Sequence, residues 1–335
     1  MKRKIFLTLA AAALSLCCTA QAETPIHVDS ATEGLTGKAE STLLTVPVKT
    51  PVINQISDVV YKQAPARGYP NTALKMDILR PMSKEKLPAV VCIPGGGFLS
   101  ANKDNSVQLR MYLAEHGYVT ASVEYRVAPT ATFPAPLEDV KAAVRYLKAH
   151  ADQFGIDPDR IGVIGGSAGG YLSAFVGVTS GSSTFDKGDN LNVTGDVKAA
   201  VDLYGLSDLT RIGEDYSEDV QEKHRSPGAT EALWINGSPV FGGTDGGINA
   251  NPEKADAANP ISYISPSSAP MLLMHGTADT VVSPSQTDLL FQALRQKNIP
   301  AERYLVKDAA HGGIYWNQDE VLRIITDFFD RYLKK

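Results

Sequence analysis

The residue with the clearest chemical potential is a serine enclosed by glycines. The segment Gly165-Gly166-Ser167-Ala168-Gly169 has the form G-x-S-x-G and joins a β-rich run to a helix-forming one, which is the context that this motif requires. A serine on so tight a turn has a strained backbone, and only glycine-sized neighbours let the adjoining segments pass. Its hydroxyl is then exposed at a helix N-terminus, where the dipole favours developing negative charge. The motif indicates that Ser167 is a nucleophile.

Glycine-rich turns after strands also occur in nucleotide-binding folds. A P-loop is excluded because no Gly-Lys-Ser/Thr follows the glycines, and a dinucleotide site is disfavoured because no G-x-G-x-x-G opens the first βα unit.

A second glycine run, Pro94-Gly95-Gly96-Gly97-Phe98, directly follows a predicted strand that ends at Ile93. Three successive glycines can turn their backbone N–H groups inward and form an anion-binding nest. Ester cleavage passes through a tetrahedral oxyanion, which such donors stabilise. The alternative is a flexible turn, which the nearby serine motif disfavours.

The general base must be a histidine, and the chain has six, at positions 27, 116, 150, 224, 275 and 311. Enzymes with a serine on this kind of turn have the chain order serine, acid, histidine, which leaves His275 and His311. His275 ends a strand, where a histidine often serves packing. His311 follows the last predicted strand, and its glycine neighbours would let a loop bring the ring to the serine. We therefore predict that His311 is the base.

The acid should follow a strand between the serine and the histidine. Asp279 does so and is the best candidate, with the task of fixing the imidazole tautomer. Asp208, after another predicted strand, is the competitor. Asp308 is too close to His311 in sequence to orient it easily.

These residues need a scaffold, and short apolar runs alternating with helical stretches predict a largely parallel sheet with helices on both faces. The predicted strands are Asp58–Gln63, Leu74–Leu79, Ala89–Ile93, Val119–Tyr125, Ile161–Ile164, Val197–Leu203, Met271–Met274 and Arg303–Val306, of which the first two form an antiparallel pair. The predicted helices are Leu137–His150, Ala168–Val178, Gln286–Lys297 and Val321–Tyr332. The fold class is α/β, with a twisted sheet of about eight strands.

Between residues 207 and 262 this pattern breaks down into a segment rich in Gly, Asn, Ser and Pro. Long segments of this kind are usually functional, so we interpret it as a lid or substrate-binding insertion; the alternative is a solvated excursion. Trp234, within it, is predicted to bind substrate together with Phe98 and Trp316.

The first 22 residues have the features of a signal peptide: the basic start Lys2-Arg3-Lys4, the apolar run Ile5–Leu16, and Ala20-Gln21-Ala22 as a cleavage site. The alternatives are a buried N-terminal helix and lipid attachment at Cys17 or Cys18. Residues 23–55 form a polar lead-in, and residues 56–335 the catalytic domain. We expect an exported protein, periplasmic or secreted.

The bulk composition excludes several classes of protein. The net charge is −5, and an acidic chain without a basic run is a poor candidate for binding nucleic acid. Beyond the leader no apolar stretch is long enough for an integral membrane span. After removal of the leader only Cys92 would remain, so no internal disulfide is expected. Nothing in the sequence indicates the oligomeric state.

From Asp58 onward the chain resembles the α/β-hydrolase esterases related to hormone-sensitive lipase, in particular the BD-FAE-type group that includes acetyl and feruloyl esterases acting on carbohydrates. The resemblance is carried by ordered blocks: Pro94–Phe98, Glu124-Tyr125-Arg126 with Pro129 and Phe133-Pro134, Leu137-Glu138-Asp139, Asp157–Ile161, Gly165–Gly170, His275–Asp279 and His311-Gly312.

This resemblance implies that Gly96, Gly97 and Ala168 supply the N–H groups of an oxyanion hole, and that Arg126 and Asp139 form a structural pair. Pro94 departs from the family pattern, which has histidine before the three glycines. Because that histidine shapes the loop, a proline would keep the bend, and the change favours the carbohydrate-esterase side of the family.

The resemblance implies a serine carboxylesterase that cuts small acyl esters without a metal or organic cofactor, with acetyl or feruloyl groups on plant polysaccharide as the expected substrates, and the leader predicts that it is exported. A serine peptidase related to prolyl oligopeptidase is the alternative among enzymes. A catalytically inactive binding protein is the alternative from another class, although all three triad residues are present.

Overall fold

The computed structural model describes residues 44–66 and 68–334, so the predicted signal peptide, most of the lead-in, Cys17, Cys18 and His27 lie outside the described residues. The described part contains eight strands: β1 Ile53–Ala66, β2 Tyr69–Pro81, β3 Leu87–Ile93, β4 Val119–Val123, β5 Ile156–Gly166, β6 Ala199–Leu203, β7 Met271–Gly276 and β8 Ala301–Val306. Strand β1 begins slightly ahead of the predicted domain boundary at residue 56.

The eight strands form one sheet in the order β1-β2-β4-β3-β5-β6-β7-β8. The contacts of β2 with β1 and β4 are antiparallel, and all the others are parallel. The predicted opening antiparallel pair and the mostly parallel sheet are thus confirmed. Because parallel strands end at a common edge, the loops after β3, β5, β7 and β8 meet there, and these loops carry the residues singled out above.

Nine α-helices flank the sheet within the described residues: α1 Val107–Glu115, α2 Ala135–Ala149, α3 Ala151–Phe154, α4 Ala168–Val178, α5 Glu218–Arg225, α6 Thr230–Asn236, α7 Pro252–Ala257, α8 Ser285–Gln296 and α9 Asp319–Leu333. The four predicted helices are present as α2, α4, α8 and α9 with small shifts at their ends. Helix α1 was not predicted; its buried face includes the charged Arg110, which weakens the apolar pattern. No helix of the described part is long and apolar enough to cross a membrane.

The central strands are buried on both faces, as a parallel sheet with helices on each side requires. Alternate residues of β3 enter different core clusters, Val91 joining one and Val90 the other. Helix α9 packs its apolar stripe into the second cluster. The sheet is therefore a rigid platform for the loops at its edge.

The segment 207–262 folds into α5, α6, α7 and several short 3₁₀ turns. Leu209, Trp234 and Ile248 from this segment are part of the main core cluster. These buried side chains contradict the alternative of a solvated excursion.

Candidate active site

Ser167 lies on the sharp turn between β5 and α4, with φ 58° and ψ −126°. This left-handed backbone conformation is strained for a residue with a side chain. Two hydrogen bonds hold it: the Ser167 N–H donates to the carbonyl of Leu203 at 2.9 Å, and the Ser167 carbonyl accepts from the N–H of Tyr171 at 2.9 Å. The fold therefore holds the serine hydroxyl above the first turn of α4.

The glycines on each side of the serine are required by close approach of backbone segments. A Cβ on Gly165 would lie 2.2 Å from the carbonyl oxygen of Gly169, and a Cβ on Gly169 would lie 2.0 Å from that of Ile93. Both distances are far below van der Waals contact. The spacing of the motif thus reflects the tight packing of α4 onto the ends of β3 and β5.

Ser167, His311 and Asp279 form a continuous hydrogen-bonded chain. Nε2 of His311 lies 2.8 Å from Oγ of Ser167, and Nδ1 of His311 lies 2.7 Å from Oδ2 of Asp279. The structure brings together these three residues, which the sequence predicted, from the loops after β5, β7 and β8. Such an arrangement can remove the serine proton while the carboxylate stabilises the imidazolium.

The carboxylate of Asp279 is buried and multiply bonded. Its Oδ1 accepts from the N–H groups of Val281 at 2.9 Å and Val282 at 3.0 Å. Burial alone would raise the pKa of Asp279, but the hydrogen bonds from His275 and His311 and the charge of His311 outweigh it and hold that pKa below its usual range. The competing Asp208 instead caps the 3₁₀ turn Leu209–Arg211.

The glycine run after β3 lies against the serine turn. A Cβ on Gly95 would lie 3.2 Å from Cβ of Ser167. Gly96 and Gly97 have φ values of 153° and 57°, which favour glycine. The Pro94 carbonyl accepts a hydrogen bond from the Tyr125 hydroxyl at 2.8 Å, which fixes the bend before the glycine run.

The predicted oxyanion donors lie around this point. Within residues 44–66 and 68–334, no protein acceptor binds the N–H groups of Gly96, Gly97 or Ala168, so these groups remain available to a substrate oxygen.

Arg126 and Asp139 form the salt bridge that the resemblance implied. Nε and Nη2 of Arg126 each lie 2.8 Å from the buried carboxylate of Asp139.

A cavity of about 630 Å³ opens over Ser167 and His311. Its other walls are the glycine run, the start of α1, and the segment after His311. The side chains that line it are mostly neutral: Asn105, Ser106, Val107, Gln108, Leu109, Leu203, Tyr204, Val281, Trp316 and Asn317. A cavity with no carboxylate, lysine or arginine in its lining is suited to an uncharged, partly polar ligand.

Tyr204, which the sequence analysis did not single out, is a further wall of this cavity. Its ring centre lies 4.9 Å from that of His311 and 4.5 Å from that of Trp316. Its hydroxyl lies beside Gly166, where a Cβ would be only 2.7 Å away. Burial raises the pKa of Tyr204 to about 12, so the hydroxyl keeps its proton. The sequence could have indicated this role, because Tyr204 directly follows β6 and parallel strands end at the sheet edge that carries the serine.

Two of the three predicted substrate-binding residues lie elsewhere. Phe98 has a left-handed backbone, with φ 65°, and its ring points into the core. Trp234 is fully buried and stacks on Phe98 with 4.5 Å between ring centres. The prediction was wrong for both, because neither contributes to the cavity lining. Trp316 does line the cavity, and its Nε1–H donates to the carbonyl of Ala310 at 3.0 Å.

The described residues include no cluster of three or more His, Cys, Asp or Glu side chains able to hold a metal ion.

Comparison with known proteins gives a match to the BD-FAE family over residues 76–294. Among individual proteins, the chain is 32% identical over 210 residues to the probable carboxylic ester hydrolase LipM of Mycobacterium tuberculosis, covering 62% of this chain and 45% of that relative. It is 30% identical over 233 residues to esterase LipC of the same organism, covering 69% and 54%. The chain thus spans about half the length of these relatives.

Among solved structures, a truncated carbohydrate esterase from gut microbiota has a TM-score of 0.71 at 26% identity, with 86% of this chain and 99% of that chain covered. These similarities confirm the resemblance to α/β-hydrolase esterases that the sequence motifs indicated. They also agree with the eight-stranded fold.

Proposed function

The chain belongs to the BD-FAE family, and from that premise we propose that it is a serine carboxylesterase. The observation that carries the proposal is the hydrogen-bonded chain from Ser167 through His311 to Asp279, which opens into a cavity beside unpaired backbone N–H groups. Nucleophile, base, orienting acid and oxyanion donors are the set that acyl transfer needs.

The proposed reaction has two steps. His311 accepts the proton of Ser167 as its Oγ attacks the ester carbonyl, and the N–H groups of Gly96, Gly97 and Ala168 donate to the oxyanion. The protonated His311 then donates to the leaving alcohol. Water, activated by His311, hydrolyses the acyl-enzyme and frees Ser167.

We further propose that the alcohol part of the substrate is a carbohydrate and that the acyl group is acetyl or feruloyl. The mixture of amide, hydroxyl and aromatic groups in the neutral cavity supports a sugar ester over a charged or purely apolar one. The similarity to a carbohydrate esterase points the same way. The signal peptide predicted for residues 1–22 would export the protein to a compartment where such polymers are accessible.

The proposal is tested by measuring kcat/KM for p-nitrophenyl acetate, methyl ferulate, acetylated xylan and a peptide p-nitroanilide. We expect turnover of the esters, none of the anilide, and loss of ester turnover by roughly 10⁴-fold or more in Ser167→Ala. The variant should keep the circular dichroism spectrum of the parent. Retained turnover in a folded Ser167→Ala protein would exclude this nucleophile, and turnover of the anilide alone would favour the peptidase alternative.

A further inference from the structure

A second cavity, of about 360 Å³, lies within the 207–262 segment. Its polar lining consists mainly of Arg211, Glu214, Gln221, His224, Arg225 and Asn249. We propose that this cavity is a glycan subsite that binds a neutral sugar unit of the alcohol part of the substrate. The inference rests on the proposed esterase function and deepens it.

His224 is the best oriented group in the second cavity. Its Nδ1 lies 2.6 Å from Oε1 of Glu231, whose side chain is 3% exposed. Because a carboxylate only accepts hydrogen bonds, Nδ1 of His224 donates to Glu231, which fixes the orientation of the ring. The opposite edge of the ring faces Gly213, where a Cβ would lie 2.8 Å from Cδ2 of His224. A glycine at this point therefore lets the ring pack closely against the backbone of Gly213.

The remaining polar groups are held in place by one another. Nη2 of Arg225 donates to Oε1 of Gln221 at 3.0 Å, and Nε2 of Gln221 donates to the carbonyl of Tyr216 at 3.0 Å. Nη2 of Arg211 pairs with Glu214 at 2.6 Å. Each guanidinium already has a carboxylate or amide partner, so the cavity offers fixed donors and acceptors without an unpaired charge. This suits the hydroxyl groups of a neutral sugar better than the carboxylate of an acidic one.

Hydrogen bonds connect the second cavity to the loop that carries the orienting acid: Gln221, which lines the cavity, donates to the carbonyl of Tyr216. The Tyr216 hydroxyl donates to the carbonyl of Asp279 at 2.9 Å, and Val281, two residues further, lines the catalytic cavity. On the other side Oγ1 of Thr230 lies 3.1 Å from Oε2 of Glu231, while its methyl group would lie 3.8 Å from a Cβ on Gly97. Through Tyr216 and Glu231, residues that line the second cavity are thus linked to the loops after β7 and β3, which carry Asp279 and the glycine run.

The test compares a small ester, p-nitrophenyl acetate, with long acetylated xylo-oligosaccharides in the parent protein and in Gln221→Ala, His224→Ala and Asn249→Ala. Asn249 is an exposed side chain, so its removal does not threaten the fold. The control is Glu222→Ala, which changes an exposed residue of α5 that does not line the cavity. The quantity measured is the ratio of kcat/KM for the oligosaccharide to kcat/KM for the small ester.

We expect the ratio to fall by roughly tenfold in Gln221→Ala and His224→Ala, less in Asn249→Ala, and not in Glu222→Ala. Nuclear magnetic resonance signals of the His224 ring should also shift when xylo-oligosaccharide without ester groups is added. An unchanged ratio in folded variants, or an equal fall in the control, would overturn the subsite while leaving the esterase proposal intact. Absence of ester turnover in the parent protein would overturn both.

Discussion

Nε2 of His275 lies 3.2 Å from Oδ2 of Asp279. The same carboxylate oxygen binds His311, so Asp279 is held from two sides by imidazole rings. His275 is itself fixed, because its Nε2 also lies 3.0 Å from the carbonyl of Val282 and its Nδ1 lies 3.2 Å from the Thr287 hydroxyl. A buried histidine that sequence position alone would assign to packing therefore also helps to set the direction of the orienting acid.

This environment predicts the outcome of neutralising the two candidate acids. Asp279→Asn should lower kcat for p-nitrophenyl acetate by about 10³–10⁴-fold, because an amide at this position favours the wrong imidazole tautomer. Asp208→Asn should change kcat by less than about tenfold, since Asp208 bonds Thr210 and Asn259 instead. Steady-state kinetics of both variants, with their melting temperatures, make the comparison. A larger loss of kcat in Asp208→Asn than in Asp279→Asn would show that Asp208 is the acid.

Tyr204 should act as a positioning residue for His311. Tyr204→Phe keeps the ring contacts with His311 and Trp316 and should lower kcat/KM for sugar esters by no more than about tenfold, the effect of one lost hydrogen bond. Tyr204→Ala removes a wall from His311 and should lower kcat further and change the pH dependence of kcat. The check is a pair of pH–rate profiles. Identical profiles for the two variants would show that the ring does not orient the histidine.

The sequence predicted the reacting groups because their constraints are local. Gly165 and Gly169 must be glycine for the turn to close, and the order of Ser167, Asp279 and His311 follows the order of strand ends along the sheet. Strand existence was likewise predictable, since β3, β6 and β7 are mostly apolar. Each of these features is therefore visible in the few residues around the strand or turn that it specifies.

The walls of the site were less predictable, because they depend on where the backbone directs each side chain. Phe98 adjoins the glycine run in sequence, yet its left-handed backbone directs the ring into the core. Trp234 stacks on the Phe98 ring and is therefore buried in the same core cluster. Tyr204 and the start of α1 reach the cavity only through the order of strands in the sheet, which no local pattern encodes.

The two tryptophans should therefore differ in their effects. Trp234→Ala removes a fully buried indole and should lower the free energy of unfolding by about 3–5 kcal/mol, with little change of KM measured well below the melting midpoint. Trp316→Ala removes part of the cavity wall and should raise KM for sugar esters severalfold. Chemical denaturation and kinetics on both variants test the difference. A dominant KM effect in Trp234→Ala would return that residue to the substrate site.

A buried carboxylate under the serine turn should make stability depend on pH. Asp202 lies in β6 with neither carboxylate oxygen hydrogen-bonded within the described part of the chain. A Cβ on Gly170, in the first turn of α4, would lie 2.3 Å from Oδ1 of Asp202, so the group is enclosed. Burial raises the pKa of Asp202 to about 8.

The sign follows from proton linkage. In the unfolded chain Asp202 loses its proton near its ordinary pKa of about 4, whereas the folded protein retains that proton until about pH 8. Between these values the folded state binds more protons, so its stability falls as pH rises, by at most about 1.4 kcal/mol per pH unit from this group. Below pH 4 this group's contribution to the free energy of unfolding is fully present, and above pH 8 it is lost.

Asp202→Asn removes the titrating group. The free energy of unfolding of the variant minus that of the parent should therefore grow from pH 5 to pH 8 and then level off. Urea unfolding at each pH measures it, and parallel curves for the two proteins would mean that Asp202 is ionised in the folded state throughout.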